Sequence, residues 1–393
     1  MELLQKSFLN LLRNTDNSFQ RTLNVNWDNR MIAIVGARGV GKTTYIMQHI
    51  KQRHKNLDEV LYASLDHLYF YERPLMDVVD EFVSYGGKYL YLDEVHKYDG
   101  WSRVLKNIYD HYPNLKVAFT SSSILDVFKG DADLSRRVVK YEMNGMSFRE
   151  YLRLVRNITL SQLTLEQLLT EHTSYYINLP KDFLPLPVFK EYLQSGYYPF
   201  TIEPDFLTKL HNALMNVIEL DLSQVENLTQ NKVVQVKKVL GVIAESAPFK
   251  PNISQLAQKL QISRDIILSI IHLLEKAKIL NLLQAPNKGV SLLQKPDKIY
   301  LENTNLMYAL KDLPDIGNIR ETFFMNQLQN AGHSVRSSES TDFLVDQEFS
   351  FEIGGRSKKQ TQVKALKNAF VVKDGIESGM GNVVPLWMFG VLY

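Results

Sequence analysis

Two hydrophobic periods divide the chain. In its first third, short apolar runs at residues 31–36, 60–65, 88–92, 115–120 and 137–142 alternate with stretches of helical spacing. Runs of this length bounded by turn residues read as strands, and their alternation with helices predicts a parallel sheet with crossover helices, an α/β fold. Ahead of them, residues 1–28 read as one amphipathic helix and a polar connector. The helix lacks the basic start and long apolar core of a signal peptide.

After residue 147 the pattern becomes helical. Ser147 is placed as an N-cap with Glu150 three residues on, the spacing of a capping box. Helical periodicity continues to about residue 228, interrupted at Leu184-Pro185-Leu186-Pro187 and at residues 195–200, and by position this is a small lid. Residues 253–280 read as helix, turn and helix, with Leu256, Ala257, Leu260, Ile262, Ile266 and Ile270 at core spacing and Ser263 capping the second helix. Two β-like runs, 279–283 and 298–301, would form a wing beside it. In a DNA reader the second helix would enter the major groove. It offers only Arg264, Lys276 and Lys278 as cations, so docking of a protein partner stands as the alternative. The last stretch holds a helix from Glu321, strands at 341–346 and 349–355, and a basic segment at 356–364.

Composition narrows the classes without choosing among them. At 393 residues the chain has room for about two to four domains. Its 45% hydrophobic and 22% charged residues are ordinary globular values, and a formal charge of +2 confines any basic surface to a local patch. With no cysteine there are no disulfides or thiolate metal sites, which fits a reducing compartment. No apolar stretch reaches the roughly 18 residues of a membrane span. A cytoplasmic protein without membrane contact is expected.

The chemistry concentrates in Gly36-Ala37-Arg38-Gly39-Val40-Gly41-Lys42-Thr43, of the form G-x-x-x-x-G-K-T, with Thr44 following. It lies between an apolar strand and a helical pattern, the context of a nucleotide triphosphate loop. Gly36 and Gly41 let backbone N–H groups converge on phosphate oxygens, Lys42 would reach the β- and γ-phosphates, and Thr43 would place its hydroxyl on Mg²⁺. The helix start adds its positive dipole end. Downstream, a further apolar strand ends in Asp93 and Glu94, suited to holding Mg²⁺ through water and to polarising the attacking water. Ser121-Ser122-Ser123 end another strand, as γ-phosphate sensors or as the N-cap of a helix at 124–127.

The loop, the Leu92-Asp93-Glu94 box, the strand end at 120–123 and the segment 134–151 together resemble a prokaryotic family of AAA+-type P-loop ATPases. In that family the ATPase core is followed by a winged helix and a restriction-endonuclease-like domain of the PD-D/E-x-K type. The resemblance covers nearly the whole chain. It divides it into an N-terminal helix and connector (1–28), an ATPase core (29–150), a helical lid (151–228), a winged helix (229–312) and a small α/β nuclease-like domain (313–393). It implies that Ser122 is the sensor. Arg137, with Arg136 where a glycine is usual, would be a finger toward a γ-phosphate in cis or from a neighbouring subunit, or else a surface salt bridge. Gly196-Tyr197-Tyr198-Pro199 resembles the lid motif. In the tail, Glu321, Asp342 and Glu352 match the acidic positions of an active nuclease, but Gly354 stands where its lysine belongs. Lys358 or Lys364 would substitute from the next turn, but the pattern is degraded, so a degenerate domain retained as a scaffold or as a DNA-end-binding fold is expected rather than an active nuclease. The function implied is hydrolysis of ATP with Mg²⁺ to rearrange a DNA- or protein-binding tail, in a homo-oligomer or with a protein partner. The alternative is a nucleotide-operated signalling or scaffold switch with little turnover.

Overall fold

The computed structural model describes residues 1–122, 132–223, 228–246, 248–286, 295–359, 363 and 366–393. Ser123, the helix start at 124–127 and Lys364 lie outside the described residues. The chain forms two compact units, Met1–Asn144 with Leu220–Asn227, and Gly145–Glu219 with Leu228–Tyr393.

In the first unit, β1 (Met31–Gly36), β2 (Val60–Ser64), β3 (Tyr89–Asp93), β4 (Lys116–Ser122) and β5 (Val139–Glu142) form one parallel sheet in the order β2-β3-β4-β1-β5. All five predicted strands are present. Every residue of β1 is buried, as a central parallel strand requires. Because the strands run in one direction, their carboxyl ends share an edge: Gly36 pairs with Ser122, and Asp93 pairs with Ser64. The helix Glu2–Asn14 buries Leu4, Phe8 and Leu12, one face at helical spacing, and lies against β2.

In the second unit, Ser147 and Glu150 form the expected capping box at the start of Phe148–Arg156. Helices Leu165–Ile177, Pro185–Ser195 and Phe206–Asn216 follow. The Leu-Pro-Leu-Pro run, expected to interrupt the helical pattern, instead begins a helix: Leu184 is the N-cap and Pro185 opens the first turn. A proline there gives up an N–H that has no acceptor in the helix. Helices Ile253–Leu260 and Arg264–Lys276 are joined by a short turn, and Ser263 caps the second by accepting from the Ile266 N–H at 3.3 Å. The buried stripe of that second helix runs through Ile267, Ile270, Ile271 and Leu274, one position later than the spacing predicts, and leaves Ile266 half-buried. Antiparallel β6 (Leu280–Leu283) and β7 (Lys298–Leu301) come next, with Phe249 bridging Ile299. Helix Ile316–Asn330 precedes a second sheet made of β8 (Val335–Ser337), β9 (Phe343–Val345), β10 (Phe349–Gly354), β11 (Ala369–Lys373) and β12 (Val383–Pro385). Among the described residues no helix is long and apolar enough to cross a membrane.

Candidate nucleotide-binding site

The loop after β1 is shaped by its glycines in two ways. Gly39 (φ 86°) and Gly41 (φ 96°) occupy the left-handed region, which costs glycine nothing. Gly36 is required for closeness instead, since a Cβ there would lie 2.3 Å from the Met143 carbonyl oxygen. The helix Lys42–Arg53 starts directly from Gly41, so its first-turn N–H groups have no acceptor within the helix. Val40 is buried, and its carbonyl accepts from the Arg21 guanidinium, which also donates to the Asn144 carbonyl at 2.8 Å.

Lys42 is buried. Its ammonium donates to the carbonyls of Gly36 at 2.9 Å and Ala37 at 3.1 Å. Burial pulls its pKa down, and the nearby charges of Glu94, Asp93 and Asp221 oppose that. Thr43 Oγ1 donates to Asp93 Oδ2 at 2.7 Å, Tyr62 OH donates to the same oxygen at 2.8 Å, and Thr120 Oγ1 donates to Oδ1. One buried carboxylate is thereby fixed by three hydroxyls. Thr120 also accepts from the Glu94 N–H at 2.9 Å, which holds the next residue in the left-handed region at φ 53°. Burial raises the pKa of the Glu94 carboxyl, and Lys42 partly offsets this. His96, two residues on, is buried with Nε2 3.2 Å from Glu94 Oε2 but outside hydrogen-bonding geometry, and burial pushes its pKa down to about 4. It is neutral at neutral pH.

Residues 36–43, Asp93, Glu94 and Ser122 are therefore gathered at the carboxyl edge of one sheet, with Thr44 exposed on the helix's first turn. Arg137 is not among them. It precedes β5, whose Val139 pairs with Ile32 near the amino end of β1, and its guanidinium meets Asp110 through Nε at 3.0 Å and Nη2 at 3.1 Å. Of the readings open for this residue, the salt bridge is realised and a finger in cis is not. Sequence reasoning missed Tyr62, Thr120 and Asp221. Thr120 was visible beside the serine run, whereas Tyr62 is hidden as one apolar position of a strand. Asp221 is distant in sequence and carries no motif; it accepts from Lys97 Nζ at 2.6 Å and pairs with Arg38 Nη1 at 3.3 Å.

The oxygen-only pair of Thr43 and Asp93 suits a hard cation such as Mg²⁺, which uses one or two carboxylates and completes its shell with water and phosphate. Among the described residues no group of three or more His, Asp or Glu side chains forms a metal cage.

In the second unit, Gly196-Tyr197-Tyr198-Pro199 is a packing hub. The Tyr197 N–H donates to Asn305 Oδ1 at 2.8 Å, its hydroxyl donates to buried Glu302 at 2.7 Å, and Asn326 donates to the same carboxylate oxygen at 3.0 Å. Asn303 donates to the Tyr198 hydroxyl at 3.1 Å. The acidic residues singled out in the tail are all engaged: Glu321 accepts from Tyr300 OH at 2.7 Å and Lys298 at 3.1 Å, Asp342 accepts from the Ile353 N–H at 2.8 Å, and Glu352 pairs with Lys358. The Lys358 stem lies over Gly354, where an added Cβ would come within 2.7 Å of three of its carbons.

A family model described as an AAA domain matches residues 28–152, and one described as a domain of unknown function matches residues 187–316. An uncharacterized protein of Methanocaldococcus jannaschii is 30% identical over 266 residues, 64% of this chain and 56% of that protein. The chain thus spans little more than half the length of this relative. Among solved structures, a Thermotoga maritima RuvB variant has a TM-score of 0.30 at 15% identity, covering 73% of this chain and 90% of that one. A replication initiator DnaA bound to AMPPCP and single-stranded DNA has a TM-score of 0.30 at 14% identity, covering 70% and 88%. The AAA-domain match falls on the stretch that holds the five-stranded parallel sheet and its loop, so the chain carries an AAA+ ATPase-like domain of α/β fold.

Proposed function

We propose that the first unit binds ATP and hydrolyses it with Mg²⁺, and that the cycle rearranges a DNA- or protein-binding tail built from the second unit. The observation that carries this is the convergence at one sheet edge of a buried loop lysine, the Thr43–Asp93 pair, Glu94 and Ser122. The loop N–H groups and the start of the Lys42–Arg53 helix hold the phosphates, and Lys42 exchanges its two carbonyl acceptors for phosphate oxygens. Thr43 and Asp93 would hold Mg²⁺, which when bound neutralises charge developing on the phosphates. Glu94 takes the proton of the attacking water, and its raised pKa makes it a stronger base than a solvated carboxylate. Ser122 faces the terminal phosphate. In the tail, the helix pair followed by β6 and β7 is read as a winged helix, and the nuclease-like domain as a scaffold whose carboxylates are held by Lys358, Lys298 and Tyr300. We read the protein as cytoplasmic, acting as a homo-oligomer or with a protein partner.

Lys42→Ala should abolish binding of a fluorescent ATP analogue. Glu94→Gln should keep that binding while lowering turnover by about 10²- to 10⁴-fold, the range for losing a general base. Unchanged affinity in the first variant, or a joint fall of binding and turnover in the second, defeats the assignment. Turnover measured with and without DNA separates a DNA-coupled motor from a protein-coupled one.

A further inference from the structure

Asp221 ends the π-helical turn Val217–Asp221, and it lies in Leu220–Asn227, the segment that belongs to the first unit although far along the chain. It is 1% exposed. Two cations from different parts of the phosphate-binding edge converge on its carboxylate: Arg38 from the tip of the loop at 3.3 Å and Lys97, just beyond β3, at 2.6 Å. His96 Nε2 stands 4.0 Å away, and the carboxylate is close enough to bear on the charge of Lys42. A site assembled to receive a terminal phosphate thus already holds an anion.

The geometry points to Asp221 as a resident anion that the terminal phosphate of a nucleoside triphosphate displaces from Arg38 and Lys97, releasing the turn that carries it. This rests on the ATP-site reading and adds its regulation. A terminal phosphate brings about two negative charges and three acceptor oxygens against one charge and two oxygens on a carboxylate, so it wins the shared cations once the loop has bound it. A diphosphate, lacking that group, leaves the pairing in place. Occupancy by ATP, and not by ADP, is then what the turn at 217–221 reports.

The test uses the full chain with Mg²⁺ and fluorescent ATP and ADP analogues. Asp221→Asn keeps the shape and removes the charge. It should tighten the ATP analogue about tenfold and leave the ADP analogue nearly unchanged, because the competing anion opposes only the triphosphate. Hydrogen exchange over residues 217–223 should rise when wild type binds a nonhydrolysable ATP analogue, and should already be high in Asp221→Asn without nucleotide. Unchanged or weaker ATP affinity in a variant that melts like wild type overturns the gate, as does exchange that falls on nucleotide binding. Should Asp221→Asn not fold, Lys97→Met serves: exchange over the same residues must rise without nucleotide, and no rise overturns the gate. The two readings fail differently. Wild type that binds neither analogue defeats the ATP site and the gate with it, whereas binding that needs Lys42 but ignores Asp221 defeats the gate alone.

Discussion

His96 shows how one buried side chain sets a pH dependence. Its pKa falls from the ordinary 6.5 to about 4 because burial penalises the imidazolium. The unfolded chain takes up this proton near pH 6.5 and the folded chain only near 4, so between those values the unfolded state binds more protons and stability drops as pH falls. From this group the loss is on the order of 1 kcal/mol per pH unit, and above the window it contributes no slope. Denaturant unfolding from pH 7 to 4 should therefore show a flatter slope in His96→Gln than in wild type; identical slopes would mean that the ring is solvated in the native state. The residues proposed to carry chemistry are legible where they are contiguous in the chain, as in the loop and in Asp93-Glu94. Those that hold them, Tyr62 and Thr120 on Asp93 and Asp221 on Arg38, come together only through the sheet order and a distant segment. No local spacing encodes them.

Elements tell a similar story with a different cause. The five strands of the first sheet were readable because a parallel core makes each a short continuous apolar run, and the amphipathic first helix because its stripe is regular. Burying Phe8 against that unit should be worth about 3–5 kcal/mol, so Phe8→Ala should lower the unfolding free energy by that much. A loss below about 1 kcal/mol in a urea titration would show that the helix is not seated on the sheet. Where pattern and structure part, phase or edge is at issue. In the Arg264–Lys276 helix, apolar residues at both 266 and 267 support two neighbouring stripes, and packing chose Ile267. Strands β11 and β12, placed after a basic stretch and short, gave little periodicity to count.

At the scale of the whole molecule the question is whether one copy completes another's site. The Arg137–Asp110 pair is partly exposed, and such pairs contribute about 0–1 kcal/mol. Arg137→Ala should therefore melt close to wild type; if it also abolishes turnover, the guanidinium acts on a neighbour. Mixing Arg137→Ala with Glu94→Gln should then restore part of the activity, since some interfaces pair an intact glutamate with an intact arginine. No rescue at any ratio, with assembly verified by light scattering, removes the trans role. The second unit raises a different matter. With the Lys358 stem lying on Gly354, any side chain at 354 must displace that stem, so the order in which the two positions change matters. Gly354→Lys alone should destabilise the unit and Lys358→Gly, which removes the Cβ as well as the stem, should relieve it, the pair being better tolerated than the first step, readable as a melting temperature that falls and then recovers. A lysine at 354 and a lysine at 358 are thus alternatives for one place beside Glu352, and a chain with the first is expected to keep position 358 small.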